Sequence, residues 1–129
     1  MFVGMPAAIL LDDFGALVWA AFGTPPYLVG SALKCKQWRD VDVRLILDDA
    51  EYERLGLGEP AHGQHNAKWT SLVLAYSALG KQMTGLPIDF QIQQQTWANA
   101  QNENEPRSAL GCLSHLRNQR LCGRCQGEV

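Results

Sequence analysis

Tyr27-Leu28-Val29-Gly30-Ser31, followed after eight residues by Asp40-Val41-Asp42-Val43-Arg44-Leu45-Ile46-Leu47, decides how this chain is read. A short apolar run ends in Gly-Ser, and a second apolar run opens with two aspartates one residue apart. Alternate side chains of a strand share a face, so Asp40, Asp42 and Arg44 point one way while Val41, Val43, Leu45 and Leu47 point the other. Two carboxylates held side by side on a rigid strand repel each other unless a cation sits between them. A divalent metal site for phosphoryl transfer needs such an arrangement.

A third acid lies further on. Leu86-Pro87-Ile88-Asp89-Phe90-Gln91-Ile92-Gln93 alternates strictly, with Ile88, Phe90 and Ile92 on one face and Asp89, Gln91 and Gln93 on the other. The pattern predicts a half-buried strand whose polar face begins with a carboxylate. Laid beside the first acidic strand, it brings Asp89 to Asp40 and Asp42.

An apolar strand, Gly-Ser, a short loop, Asp-x-Asp on a second strand and a third acid on a later one form an ordered pattern. In it the chain resembles the nucleotidyltransferase superfamily, the fold shared by DNA polymerase beta, aminoglycoside nucleotidyltransferases and the minimal nucleotidyltransferases. The resemblance covers roughly residues 5–95. It implies an α/β (α+β) nucleotidyltransferase fold, a small mixed β-sheet carrying the acidic triad with helices packed on one face. It also implies transfer of a nucleoside monophosphate from an NTP to a hydroxyl acceptor, with release of pyrophosphate. By the same resemblance Asp40, Asp42 and Asp89 bind two Mg²⁺ or Mn²⁺ ions. Asp40 and Asp42 would hold the one on the triphosphate, and Asp89 would share the second or take the acceptor's proton. Gly30 and Ser31 would hold the β- and γ-phosphates, with Lys34, Arg39 or Arg44 adding charge. Many minimal members carry Arg-Gly soon after Gly-Ser and Ser before the acids. This chain has Ala32-Leu33-Lys34-Cys35 and Arg39 there, a form also similar to the branch containing abortive-infection toxins. The acceptor implied is a protein hydroxyl or RNA, and that branch would set the chain in a toxin–antitoxin system. A catalytically inactive member, binding a nucleotide or a partner protein in the same pocket, is the alternative.

At 129 residues the chain is expected to form one domain over 1–111, followed by a basic Cys/His-containing tail over 112–129. Little surface is left for recognising a large acceptor, so a homodimer or a partner chain could complete the site. The net charge of -2 supplies no global positive field to draw in nucleic acid. No apolar run approaches a membrane span, and Met1–Leu11 lacks the basic start and cleavage pattern of a signal peptide, so a cytoplasmic protein with no membrane partner is expected. Four cysteines in such a chain favour reduced thiols or a metal site over disulfides.

Helical spacing of Ile9, Leu10, Phe14, Leu17, Val18 and Ala21 predicts a helix over 6–22, with Asp12 and Asp13 off the apolar stripe and Gly23 and Pro25-Pro26 as its stop. The first strand is expected over 27–30, and 32–39 reads as a basic loop carrying Lys34, Lys36 and Arg39. On that loop the cations either meet water or face a triphosphate. Arg44 continues the aspartate face and could pair with a phosphate, or with Asp89, or only neutralise the acids. Asp48 or Asp49 caps a short helix, and a breaker-rich loop runs from Gly56 to Asn66. A long helix over 67–84 presents Leu72, Tyr76, Leu79 and Met83 to the core, supported by Trp69 and Val73, and stops at Gly85. Beyond the third strand, Thr96 is a candidate cap for a helix carrying Trp97, though the Gln-rich run also suits a strand end. Arg107 is within reach of the site, but nothing local requires it there.

His62 and His65 sit among breakers with no nearby thiol, a poor metal setting. Cys112, His115, Cys122 and Cys125 spell C-x2-H-x6-C-x2-C, ligand types suited to a structural Zn²⁺. The alternative is a helix ending in a basic tail with free thiols, in which Arg117, Arg120 and Arg124 supply the charge. Cys35 reads as a lone thiol.

Overall fold

The computed structural model describes residues 3–34 and 39–113. Helix α1 (Ala7–Phe22) leads into strand β1 (Tyr27–Val29), the single-turn helix α2 (Ser31–Lys34) and strand β2 (Val41–Leu47). Helix α3 (Asp49–Arg54), a 3₁₀ helix (Pro60–His65) and helix α4 (Ala67–Thr84) then cross over to strand β3 (Ile88–Gln94). Helix α5 (Gln95–Gln101) and the two-residue strand β4 (Ser108–Ala109) complete the chain of elements.

The four strands form one mixed sheet in the order β3-β2-β1-β4. β2 is antiparallel to β1 and parallel to β3, and β4 is antiparallel to β1. A parallel pair needs a long crossover, which the α3–α4 segment supplies. Strict alternation sorts the two faces of the sheet. Val41, Val43, Leu45 and Leu47 of β2 and Ile88, Phe90 and Ile92 of β3 are buried, while Asp42, Arg44, Ile46, Asp89, Gln91 and Gln93 stand half-buried on the other side. α1 and α4 cover the apolar face. Phe90 lies edge-on to Phe14 of α1, with ring centroids 6.2 Å apart, and 5.3 Å from Tyr76 of α4. The architecture is thus mixed α and β with a mixed sheet, and the polar face is left for a site.

α4 keeps the expected bounds. The Asn66 side chain accepts a hydrogen bond from the Trp69 N–H, and Gly85 closes the last turn in the left-handed conformation. Its polar side chains also secure the outer edge of β3. The Trp69 indole donates to Ile92 O (2.8 Å), and the Phe90 N–H donates to Ser77 Oγ (3.0 Å). An edge strand satisfied in this way offers fewer free groups for another chain to pair with.

Several local expectations are corrected. α1 turns a different face to the core: Leu11, Asp12, Phe14, Gly15 and Val18 are buried, whereas Ile9, Leu10 and Leu17 are exposed. The helix is apolar nearly all round, so periodicity does not fix its rotation. A close crossing with the segment after β4 does. A Cβ on Gly15 would strike Leu110 and lie 2.8 Å from Gly111 N. Asp12, expected on the surface, is buried and accepts the Gly111 N–H at 2.8 Å. The 32–39 loop begins as the helical turn α2, and β1 ends one residue before Gly30. The 56–66 loop contains the 3₁₀ helix. Thr96 is not a cap: Gln94 holds the N-cap position of α5 without a side-chain bond, and the Thr96 N–H and hydroxyl both donate to the Asp49 carboxylate. Asp48 caps α3, its Oδ1 accepting the Glu51 N–H at 2.7 Å.

Tyr52, on α3, carries a buried hydroxyl with no hydrogen-bond partner among the described residues, and burial pushes its pKa up. An unsatisfied buried donor costs stability, so Tyr52→Phe is expected to stabilise the fold by about 1 kcal/mol. Urea denaturation of the two proteins checks this: a midpoint that fell on losing the hydroxyl would contradict it. Among the described residues no helix is long and apolar enough to cross a membrane.

Candidate functional site

The polar face of the sheet floors an open cleft of about 570 Å³. Val29, Gly30, Ser31 and Lys34 line one end, Asp42, Arg44, Gln91 and Gln93 line its floor, and Asn102, Glu105 and Arg107 lie over it. Of the residues singled out in the sequence, Gly30, Ser31, Lys34, Asp42 and Arg44 therefore share one cavity. A second polar cleft of about 480 Å³, lined by Tyr27, Asp48, Glu51 and Gln95 among others, meets the first at Ile46 and Arg107.

The parallel register sets Asp42 directly beside Asp89. Opposed residues of neighbouring strands share a face, so the two carboxyls stand side by side. Burial pushes the Asp42 carboxyl above its ordinary value; Arg44 pulls it back, while Asp89 and Asp40 push it up again. The raised value records burial first, with the neighbouring carboxylates adding to it against the pull of one guanidinium. Asp40 stands one residue ahead of β2 and is exposed, so the strand face holds Asp42 alone of the Asp-x-Asp pair. Among the described residues no group of three His, Cys, Asp or Glu is gathered as a ready-made metal cage.

Arg44 spends its guanidinium locally. Its Nη2 lies 3.3 Å from Asp89 Oδ2 and 3.7 Å from Asp42 Oδ1, and its Nη1 donates to the main-chain oxygens of Asp89 (2.7 Å) and Val43 (3.2 Å). The pairing with Asp89 that period alone allowed is the one formed. Lys34 forms an ion pair with Glu105 at 2.5 Å, tying α2 to the connection over the cleft. Arg39 is exposed and does not line the cleft.

Gly30 turns the chain from β1 into α2 at φ +74, a conformation other residues adopt only under strain. A Cβ there would run into Asp42 Oδ2 and lie 3.2 Å from its Cγ. Glycine is thus what lets the Asp42 carboxylate approach this turn. Gly30→Ala is expected to cost about 1–2 kcal/mol of stability through the left-handed backbone alone. It should also push the Asp42 carboxylate aside. Thermal melts read the first effect, and an alanine variant as stable as the parent would contradict the account of this turn.

Of the other candidate ligands among the described residues, His62 and His65 stack on each other with centroids 5.5 Å apart, and Cys112 is exposed. Cys35, Lys36, His115, Arg117, Arg120, Cys122, Arg124 and Cys125 lie outside the described residues. One feature of the site escaped the sequence, β4, which is too short to show a period; Arg107, for which the sequence offered only the possibility of reaching the site, lies at the junction of the clefts. The Pro106 before it was the only local signal that the chain becomes extended there. No protein-family model matches this chain, and no curated protein or solved structure matches it either.

Proposed function

We propose that this chain is a metal-dependent nucleotidyltransferase, moving a nucleoside monophosphate from an NTP to a hydroxyl of a protein or RNA acceptor. The observation that carries this reading is the Asp42–Asp89 pair, two carboxyls set side by side by the strand register, with Gly30 leaving room for Asp42 at the cleft. Hard oxygen donors suit Mg²⁺ or Mn²⁺, and Mg²⁺ is ordinarily held by one or two carboxylates, water and substrate phosphates rather than by a full protein cage. The crowded pair fits such an ion, with Asp42 and Asp89 holding it and Asp40 beside them. When bound, the metal neutralises phosphate charge and lowers the pKa of the attacking hydroxyl.

The chain's own residues orient the reaction. Gly30 and Ser31 border the cleft where the outer phosphates would lie, and Arg44 holds the two carboxyls together. The acceptor oxygen attacks the α-phosphorus as its proton passes to Asp89, whose side chain is 42% exposed. The bond from the α-phosphorus to the bridging oxygen breaks, and pyrophosphate departs with the electron pair.

One observation favours a second reading. Arg44 already forms ion pairs with both carboxyls, which suits a catalytically inactive protein that binds a nucleotide or a partner in this cleft. Calorimetry with each of the four NTPs, with and without Mg²⁺ or Mn²⁺, tests the proposal on the native chain and on Asp40→Asn/Asp42→Asn. Metal-dependent binding lost in the double variant supports a nucleotide site, and pyrophosphate release in an acceptor screen starting with self-modification and tRNA separates enzyme from binder. A folded native chain that binds no NTP with either metal would refute both forms of the nucleotide reading.

A further inference from the structure

Arg107 belongs to none of the sequence motifs, and we infer that it is the residue that grips the phosphate chain of the bound nucleotide. The inference rests on the nucleotide site proposed above and assigns it a binding residue. β4 pairs with β1 as Tyr27 opposite Ala109 and Leu28 opposite Ser108. One further step of that register sets Arg107 opposite Val29. Val29 is itself opposite Asp42, and Asp42 opposite Asp89. Opposed residues share a face, so Asp89, Asp42, Val29 and Arg107 form one row across the polar side of the sheet. Strands are spaced about 4.8 Å apart, which puts the backbones of Arg107 and Asp42 about 10 Å from each other. The row thus faces carboxylates on one side with a guanidinium on the other, across the cleft floor beside Gly30 and Ser31.

Charge distribution selects Arg107 among the cleft's cations. Lys34 is paired with Glu105, and Arg44 serves two carboxyls and two main-chain oxygens. Arg107 is half-buried, lines both clefts, and among the described residues makes no hydrogen bond or ion pair. A guanidinium withdrawn partly from water with its donors unspent is stabilised by an anion, and its planar fork matches two phosphate oxygens at once. Phosphate is the anion that suits the whole row, because only a group that also carries a metal can sit opposite Asp42 and Asp89 without repulsion. Glu105 precedes Arg107 by two residues, so phosphates arriving here also compete with that carboxylate for Lys34.

Calorimetry on the full chain tests this, using inorganic triphosphate and ATP, each with Mg²⁺. The proteins are the native chain, Arg107→Gln, Arg107→Lys, and Lys81→Gln on exposed α4 as a control for loss of charge alone. Arg107→Gln should weaken both ligands by about 10- to 100-fold, the range of a hydrogen-bonded charge. Equal losses for both ligands are expected, since the residue would read phosphates and not the nucleoside. Arg107→Lys should retain part of the affinity, because an ammonium keeps the charge but not the fork. Lys81→Gln should match the native chain. If the native chain binds and the Arg107 variants bind as tightly, the assignment of Arg107 is overturned while the nucleotide site stands. If the native chain binds neither ligand, the site itself falls, and Arg107 with it. Should Arg107→Gln fail to show a cooperative melt, Arg107→Lys decides the matter by the same comparison.

Discussion

Asp42→Asn should abolish metal-dependent nucleotide binding, lowering affinity at least about a hundredfold, and leave the protein as stable as before or more so. A carboxylate bound to a divalent ion contributes several kcal/mol of charge stabilisation, and each 1.4 kcal/mol is a factor of ten. The amide keeps the shape of the side chain but loses the charge. Stability moves the other way. Burial, Asp89 and Asp40 together outweigh Arg44 and hold the Asp42 pKa above 3.8. The folded chain therefore binds this proton more tightly than the unfolded one. In metal-free buffer, stability falls as pH rises from the ordinary aspartate value through the raised one. Asn removes that loss, so the gain in melting temperature over the native protein should be present at neutral pH and vanish in acid. Adding Mg²⁺ and NTP reverses the order, because a ligand that binds only the folded native protein raises its apparent stability. Melting curves at neutral and acidic pH, with and without Mg²⁺ and NTP, read all of this. Equal ligand-induced shifts in the two proteins would show that Asp42 holds no metal.

Phe90→Ala is the largest expected loss of stability, about 3–5 kcal/mol. The ring is fully buried between Phe14 of α1 and Tyr76 of α4, so its removal leaves a cavity at the meeting point of both helices with the sheet. A domain of this size is ordinarily stable by only about 5–15 kcal/mol, so the variant should sit near the edge of unfolding. Phe90 also stands next to Asp89 on β3, and its amide is anchored by Ser77. Loosening it therefore reaches the carboxyl pair as well. Urea denaturation gives the loss directly, with Phe90→Leu expected to recover most of it because the volume change is smaller. A shift in midpoint worth under 1 kcal/mol for the alanine variant would mean that the core does not close around this ring.

Much of the arrangement could be read before any coordinates. The alternation of 41–47 and 88–94 is strict, and a strand's period of two assigns each side chain to a face without further information. Those two stretches sorted the core side chains from Asp42, Arg44 and Asp89. The helix over 67–84 was equally legible, because its apolar stripe keeps one face and Gly85 marks its end. α1 was less so: a helix apolar on all sides has no preferred rotation until something packs on it, and Gly111 decides that from far along the chain. Pairing of β4 with β1 depends on tertiary contact, and two residues carry no period. Arg107 could be named as able to reach the site, but its place in the row follows only from that register.

The crossing of Gly15 with Gly111 also says something about how the molecule comes into being on the ribosome. A Cβ on Gly111 would lie 2.7 Å from Ala16 N, so the two backbones meet with nothing between them, and the bond from Gly111 to Asp12 spans 99 residues. Synthesis at about 5–20 residues per second leaves that partner absent for roughly 5–20 s after Asp12 has been joined. During this interval the segment that closes over Asp12 and fills the notch at Gly15 has not yet been made. The same segment also carries β4 and Arg107 into place. The nascent chain therefore acquires the Arg107 side of its cleft after the acids of β2 and β3, and a stalled or truncated product ending before residue 107 would present those acids without the cation across from them.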